Sequence, residues 1–236
     1  MFDERKKIKQ LERIIESSIR VFSVRGYRQA QMSHIAKDMG ISPGSLYLYF
    51  ESKEALFEFV LKHIYIKQNF KGISFPIKTS SKDFGFSILK KAFASGKPFV
   101  HLKEVVRKKT VDNACEEFEN IIRILFSTLS TYRNGITIML HSSLNWPELN
   151  ELYVNAVKDF LRMLSAYLTL RIDQGHIRKV PDASAAARLI LECTAWFAVH
   201  RYRAMYQPNI NEKIAEETVV GILMHAFIPD HLRNKE

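Results

Sequence analysis

Apolar residues recur at helical spacing along most of this chain. Ile8, Leu11, Ile15, Ile19 and Phe22 are three or four residues apart, which predicts an amphipathic helix over 8–22. Gly26 suits its C-terminal stop, because a left-handed residue is cheap there. A second helix is predicted over 32–39, burying Ile35, Ala36 and Met39 and ending at Gly40. Ser42-Pro43 opens a third: Ser caps orphan N–H groups, and Pro is favoured at the first helical position. Ser52 opens a fourth, with Leu56, Phe57, Val60, Leu61 and Ile64 on one stripe.

Residues 71–85 (KGISFPIKTSSKDFG) cluster Gly, Pro and Ser and read as a connection. Helices follow at about 86–95, 100–110 and 115–133, the last with Phe118, Ile122, Leu125, Leu129 and Tyr132 on one face. Trp146-Pro147 starts another that runs to Gly175. Pro181-Asp182 starts a helix over 183–206, and Asn211 starts the last, which ends before Pro229. No alternating apolar pattern with Asn-Gly or Asp-Gly turns is present, so the expected fold is all-α.

Composition narrows the function classes. With 47% hydrophobic and 25% charged residues, the 236-residue chain is ordinary globular material able to bury a core. Cys115 and Cys193 lie far apart and form no CxxC pair, which points away from a zinc site or a disulfide framework. The eight histidines show no HExxH spacing, so neither a metal nor a cofactor is expected. The opening MFDERKKIKQ precedes no signal-like apolar stretch, and no apolar run approaches the ~20 residues of a membrane span. A cytoplasmic protein without a membrane partner is the expectation. No nucleophile–base constellation and no Gly-rich phosphate loop appear, which argues against an enzyme.

The net charge of +10 is unevenly spread. Residues 1–63 hold 11 Lys and Arg against 8 Asp and Glu, residues 64–110 hold 11 against 2, and residues 111–236 hold 13 against 15. A basic front half suggests a polyanionic partner. Ten of the eleven in the second segment are Lys67, Lys71, Lys78, Lys90, Lys91, Lys97, Lys103, Arg107, Lys108 and Lys109. Two roles compete for them: a positive field that steers association with the polyanion, or a rim that receives an anionic ligand head group.

Two short helices joined by Gly40-Ile41-Ser42 make a helix-turn-helix. Leu46 and Phe50, four apart, face a core together. Pro43, Gly44, Ser45, Tyr47 and Leu48 then lie on other faces, where small residues permit close approach to base edges and phosphates.

The stretch GYRQAQMSHIAKDMGISPGSLYLYFESKEAL, residues 26–56, resembles the TetR (tetracycline-repressor-like) family. Gly26-Tyr27, Ile35-Ala36, Gly40-Ile41-Ser42, Gly44-Ser45-Leu46-Tyr47, Tyr49-Phe50 and Ser52-Lys53-Glu54-Ala55-Leu56 carry the likeness. GHIRKVPDASAAARLI after Gly175, Trp196-Phe197 and the EETVVGIL helix also look family-like, whereas 64–174 match only in being helical. The resemblance implies a DNA-binding domain over residues 1–52 and a helical ligand-binding and dimerisation domain over 53–236. It further implies a homodimer, a double-stranded operator as partner, and a small-molecule effector that releases a repressor. Position by position, Ser45, Tyr49 and Lys53 look like phosphate contacts. Pro43, Gly44 and Tyr47 look base-facing or groove-facing, Ser42 and Leu48 belong to the same DNA-binding set, and Gln31 and Ser33 approach the DNA.

Departures from the family pattern bear on specificity. Gln31 replaces the usual Thr or Ser and is a poor N-cap, so either it reaches DNA or the helix starts elsewhere, for instance at Ser33. Leu48 is suited to a thymine methyl. The side chain of Pro43 makes no hydrogen bond, so part of the specificity is expected from DNA shape.

Trp146, Tyr153, Phe160, Tyr167 and Trp196 follow helical spacing and are candidates for a ligand pocket, with plain core packing as the competing role. Ala186, Ile190 and Phe197, then Val219, Ile222, Leu223 and Ala226, give the last two long helices broad apolar faces. Such faces suit burial on two sides, one inside and one against a second subunit. Two other functions compete: a DNA-organising or adaptor protein of the same fold without a small ligand, and a helical enzyme acting on a phosphorylated substrate.

Overall fold

The computed structural model describes residues 2–66, 70, 72–79, 86–94, 96–108, 110–204 and 209–233, without the side chains of 2–4 and 94. Helices account for nearly all of it. Among the described residues the only β interaction is an isolated parallel bridge between Phe50 and Ile77. The helices form two compact units, Met1–Ala92 with Asn134–Val154, and Phe93–Arg133 with Asn155–Glu236.

The first unit begins with α1, Phe2–Gln29, which starts earlier and ends later than the apolar stripe alone predicts. Its regular backbone breaks at Gly26, the expected stop, where φ 66° and ψ 173° are non-helical; a further turn follows, in which Ala30 N–H bonds the Gly26 carbonyl at 3.2 Å. Short helices α2 (Met32–Met39) and α3 (Pro43–Tyr47) follow, then α4 (Lys53–Ile66). Gly40 closes α2 at φ 68°, where the Ile41 amide reaches back to the Ala36 carbonyl. Ser42 caps α3 by accepting the Ser45 amide at 3.3 Å, and Ser52 does the same for α4 through Ala55 at 3.1 Å. Leu11, Ile14, Phe22, Ile35, Leu46, Phe50 and Leu56 are buried together in its core.

This unit also takes α5 (Phe86–Ala94), α8 (Arg133–Ser143, from Asn134) and the first two turns of α9 (Pro147–Asp173). Helix α8 escapes the sequence reading because Gly135, Thr137, Ser142 and Ser143 are weak helix formers. It is held by its neighbours instead. A Cβ on Gly135 would lie 2.5 Å from the Tyr65 hydroxyl oxygen, and one on Gly26 would lie 2.5 Å from the His141 carbonyl oxygen. Both glycines therefore permit backbone approaches that any side chain would block.

In the second unit α7 (Ala114–Thr131) packs against α6 (Lys97–Lys108), α10 (Ala183–Ala198), α11 (Glu212–Phe227) and the short α12 (Asp230–Arg233). Asn113, Asp182 and Asn211 cap α7, α10 and α11 with side-chain oxygens. The helix predicted over 183–206 stops at Ala198 and gives way to a 3₁₀ turn, His200–Arg203. Arg201 is buried at this turn and folds back to donate from Nε to the Phe197 carbonyl at 2.6 Å. Arg171 is fully buried and makes a two-pronged pair with Glu117, Nε to Oε1 at 2.7 Å and Nη2 to Oε2 at 2.9 Å. A third N–H, from Nη1, goes to the Gln174 side chain at 2.7 Å.

Candidate nucleic-acid interface

Helix α3 is short, and its two sides differ sharply. Leu46 and Phe50 are wholly buried, with Phe50 edge-on to Phe59 at 5.4 Å. Ser42, Pro43, Gly44, Tyr47 and Leu48 are exposed, and Ser45 and Tyr49 are half-buried. Tyr47 shows half of its surface and Leu48 more than two-thirds, 69%. An exposed leucine of that size beside an exposed tyrosine has no packing explanation within the unit, but it suits a groove floor lined with thymine methyls. The hydroxyls of Ser42 and Ser45 lie 3.0 Å apart at the start of the helix.

Helix α2 starts at Met32 with Gln31 as its N-cap residue, so the alternative start at Ser33 is not the one taken. Gln31 is extended (φ −129°), and its amide donates to His34 Nδ1 at 3.3 Å. Its side-chain oxygen accepts from the Ser33 hydroxyl at 3.3 Å. Both Gln31 and Ser33 are exposed at the same end of the helix.

Lys53, at the first turn of α4, is engaged more closely than the sequence suggests. Its ammonium donates to the carbonyls of Tyr27 and Ala30, each at 3.0 Å, and sits 4.3 Å from the Tyr27 ring centroid. Those carbonyls end the turn after the Gly26 kink, so Lys53 closes the C-terminus of α1. An ammonium has three donors, and one is left for a phosphate. Burial lowers the Lys53 pKa, opposed by the neighbouring Glu54 charge.

Tyr27 is the centre of this corner. Its hydroxyl donates to Glu54 Oε1 at 2.7 Å, and its amide donates to Ser142 Oγ at 3.0 Å. Its ring packs against Phe57 at 4.6 Å and Trp146 at 4.8 Å. Burial, with the Glu54 hydrogen bond, pushes the Tyr27 phenol well above its ordinary range. For Glu54, burial works to raise the carboxyl pKa. The hydrogen bond from Tyr27, with help from the backbone, Ser52 and Lys53, outweighs it and holds the group low. Tyr27, Glu54 and Ser142 were not picked out as site residues in the sequence. The nearest signal was the Gly-Tyr pair, and Ser142 lies 115 residues from its partner.

The pocket candidates separate. Trp146 is buried against Tyr27, Phe57 and Phe86, and it shares the first unit with half-buried Tyr153. Phe160 and Tyr167 are buried in the second unit, Phe160 edge-on to Phe99 at 5.5 Å and Tyr167 stacked on Phe118 at 6.4 Å. Trp196 is partly exposed on α10 and meets Phe197 edge-on at 4.9 Å. Burial also raises the Tyr167 phenol strongly.

The interface candidates also divide. Ala186, Ile190, Val219 and Leu223 are covered within their own unit, where α7, α10 and α11 pack together. Phe197 is half-buried, whereas Ile222 (63% exposed) and Ala226 face outward. Leu189 and Trp196 on α10, and Ile214 on α11, are exposed as well. Of the basic segment, Lys78, Lys90, Lys91, Lys97, Lys103, Arg107 and Lys108 are exposed; Lys67, Lys71 and Lys109 lie outside the described residues.

Residues 14–60 match the family model described as bacterial regulatory proteins, tetR family. That span runs from the middle of α1 into α4. The fatty acid metabolism regulator protein of Bacillus subtilis (strain 168) is 26% identical over 178 residues, 75% of this chain and 75% of that protein. The HTH-type transcriptional regulator YerO of the same organism is 51% identical over 45 residues, 19% of this chain and 16% of that one. In structure, the ketosteroid transcriptional regulator KstR2 of Mycobacterium tuberculosis shares the fold at a TM-score of 0.56 and 18% identity, over 94% of this chain and 96% of that one.

Proposed function

We propose, from the premise that this chain belongs to the tetR family of bacterial regulatory proteins, how it acts as a DNA-binding transcription regulator. It is a homodimeric repressor working in the cytoplasm, released from its operator by an apolar or amphiphilic effector. The observation that carries the DNA half is the two-sided recognition helix. Leu46 and Phe50 anchor α3 from below, leaving Pro43, Gly44, Tyr47 and Leu48 free to enter a major groove. Ser45, Tyr49 and the remaining donor of Lys53 hold phosphates, and Gln31 and Ser33 approach the backbone from α2. Leu48 and Tyr47 read bases, with DNA shape supplying the rest.

The dimer forms through the outward apolar residues of α10 and α11: Leu189, Trp196, Ile214 and Ile222. Its two recognition helices then address half-sites about 34–36 Å apart or somewhat more. Residues 1–52 form the DNA-binding domain, and residues 53–236, which begin at the phosphate contact of Lys53, bind effector and partner subunit. A long-chain acyl compound suits the effector, since the relative named as a fatty acid metabolism regulator aligns over three-quarters of both chains.

The test begins with selection of bound duplexes from a random pool. Recovery of a two-fold symmetric site supports the regulator; recovery of no preferred sequence favours the DNA-organising alternative. Lys53→Ala is expected to weaken selected and mixed-sequence duplexes by the same factor and to flatten the salt slope by about 1 per subunit. Long-chain acyl-coenzyme A added to the selected complex is expected to release it, while short-chain acyl-coenzyme A leaves it bound.

A further inference from the structure

The connection after α4 does not run freely between helices. It returns to the end of the recognition helix and pairs with it. The Ile77 amide donates to the Tyr49 carbonyl at 2.8 Å, and the Glu51 amide donates to the Ile77 carbonyl at 3.0 Å. The Thr79 amide donates to Glu51 Oε1 at 2.7 Å, and the Phe75 ring stands edge-on to Tyr49 at 5.1 Å. Three hydrogen bonds and a ring contact within five residues bind this strap to Tyr49–Glu51.

The strap alternates. Phe75, Ile77 and Thr79 are half-buried toward the helix-turn-helix, whereas Pro76 and Lys78 are exposed. Lys78 makes no ion pair with any described residue. Its Cα follows that of Ile77 by about 3.8 Å, and paired backbones run about 4.8 Å apart. The four-carbon stem that bears its ammonium therefore starts beside the backbone of Tyr49, one residue after the bond that locks Ile77 to it. Among the described residues, the strap is the part of the basic 64–110 segment that hydrogen bonds tie to the residues just after α3. Lys90 and Lys91 of the same unit stand on α5 instead.

We propose that residues 75–79 belong to the DNA-binding surface and that Lys78 supplies a backbone-phosphate contact next to that of Tyr49. The inference rests on the regulator reading above and extends its interface beyond the helix-turn-helix. The strap has a second effect: the edge-on contact with Phe75 sets the tilt of the Tyr49 ring, and so where its hydroxyl meets a phosphate. A phosphate contact of this kind adds affinity for any sequence and strong salt dependence, without discriminating bases.

The experiment is a salt titration of duplex binding by fluorescence anisotropy with the full chain. The probes are a mixed-sequence duplex and the selected duplex. Lys78→Ala, Lys78→Arg and Lys90→Ala are compared with the wild type, all at exposed positions where folding is undisturbed and checked by thermal melting. Lys78→Ala is expected to flatten the slope by about 1 per subunit on both duplexes, so its affinity deficit shrinks about tenfold between about 50 and 200 mM salt. Lys78→Arg should keep the wild-type slope, because Arg also contacts phosphate, and Lys90→Ala should keep it too. A Lys78→Ala slope equal to that of the wild type overturns the inference while leaving the regulator reading intact. An equal loss in Lys90→Ala overturns it in favour of a diffuse positive field. A wild type with no salt-dependent duplex binding overturns the reading on which it rests.

Discussion

Gly26 and Gly40 share a positive φ, 66° and 68°, but differ in ψ, 173° against 33°, and in what surrounds them. Alanine at Gly40 must adopt the left-handed conformation, which costs about 1–2 kcal/mol, and alanine at Gly26 must adopt an extended positive-φ region that only glycine enters readily, which costs about 1–3 kcal/mol. At Gly40 an added Cβ meets nothing within 4 Å, so that cost is the whole effect. At Gly26 the Cβ would lie 2.5 Å from the His141 carbonyl oxygen, 2.8 Å from its carbon and 3.1 Å from the Ser142 Cα. These are backbone atoms at the end of α8 and cannot rotate aside. Moving them costs about 1–3 kcal/mol, as overpacking does elsewhere. It also strains the 3.0 Å bond from the Tyr27 amide to Ser142, worth about 1 kcal/mol. Gly26→Ala is therefore expected to lose about 3–7 kcal/mol, against about 1–2 for Gly40→Ala. At about 2–4 °C per kcal/mol for a chain this long, the first melts roughly 10 °C or more below the wild type and the second roughly 5 °C below. Calorimetry with urea titration reads both. Equal losses at the two positions would refute the close approach of α8 to the α1 kink. Because Tyr27 also carries Lys53 on its carbonyl, Gly26→Ala should weaken duplex binding beyond what its unfolded fraction explains.

Two further perturbations test other parts of the argument. Ile222→Asp, on the outward face of α11, should yield a folded monomer in sedimentation equilibrium, whereas Val219→Asp, buried in its own unit, should unfold the protein; a dimeric Ile222→Asp would remove α11 from the interface. The Glu54 carboxyl is held below its unfolded value of about 4.3, so its charge stabilises the fold above that pH and the gain is lost as pH falls through the folded value. The stability gap between wild type and Glu54→Gln should be full near pH 7 and should narrow steadily below about pH 4. A gap unchanged across that range would show that the Tyr27–Glu54 bond does not depend on the carboxylate charge.

Much of this molecule is legible one turn at a time. Ser42-Pro43, Asp182 and Asn211 announce helix starts because a cap acts on amides two or three residues away. The stripes that begin at Ile8, Leu56 and Phe118 announce buried faces because helical period is a local property. The helix-turn-helix was legible for the same reason: the Gly40 turn, the cap and the Leu46–Phe50 pair all lie within a few residues. What the sequence could not supply is which distant segment arrives at each face. Helix α8 has weak local propensity and exists because Gly26 and Gly135 let it lie against α1 and Tyr65. Val219 and Ile222 look alike in a helical stripe, yet one is covered by its own unit and the other faces out, a difference set by where α7 packs. Lys53 reads in the sequence as a phosphate contact alone, with no sign of the carbonyls of Tyr27 and Ala30 beneath it. The strap at Ile77 pairs with Tyr49 from 28 residues away, through backbone groups that every residue type carries. Backbone hydrogen bonds leave no mark in the side-chain sequence, so only the tertiary structure could place Lys78 beside the recognition helix.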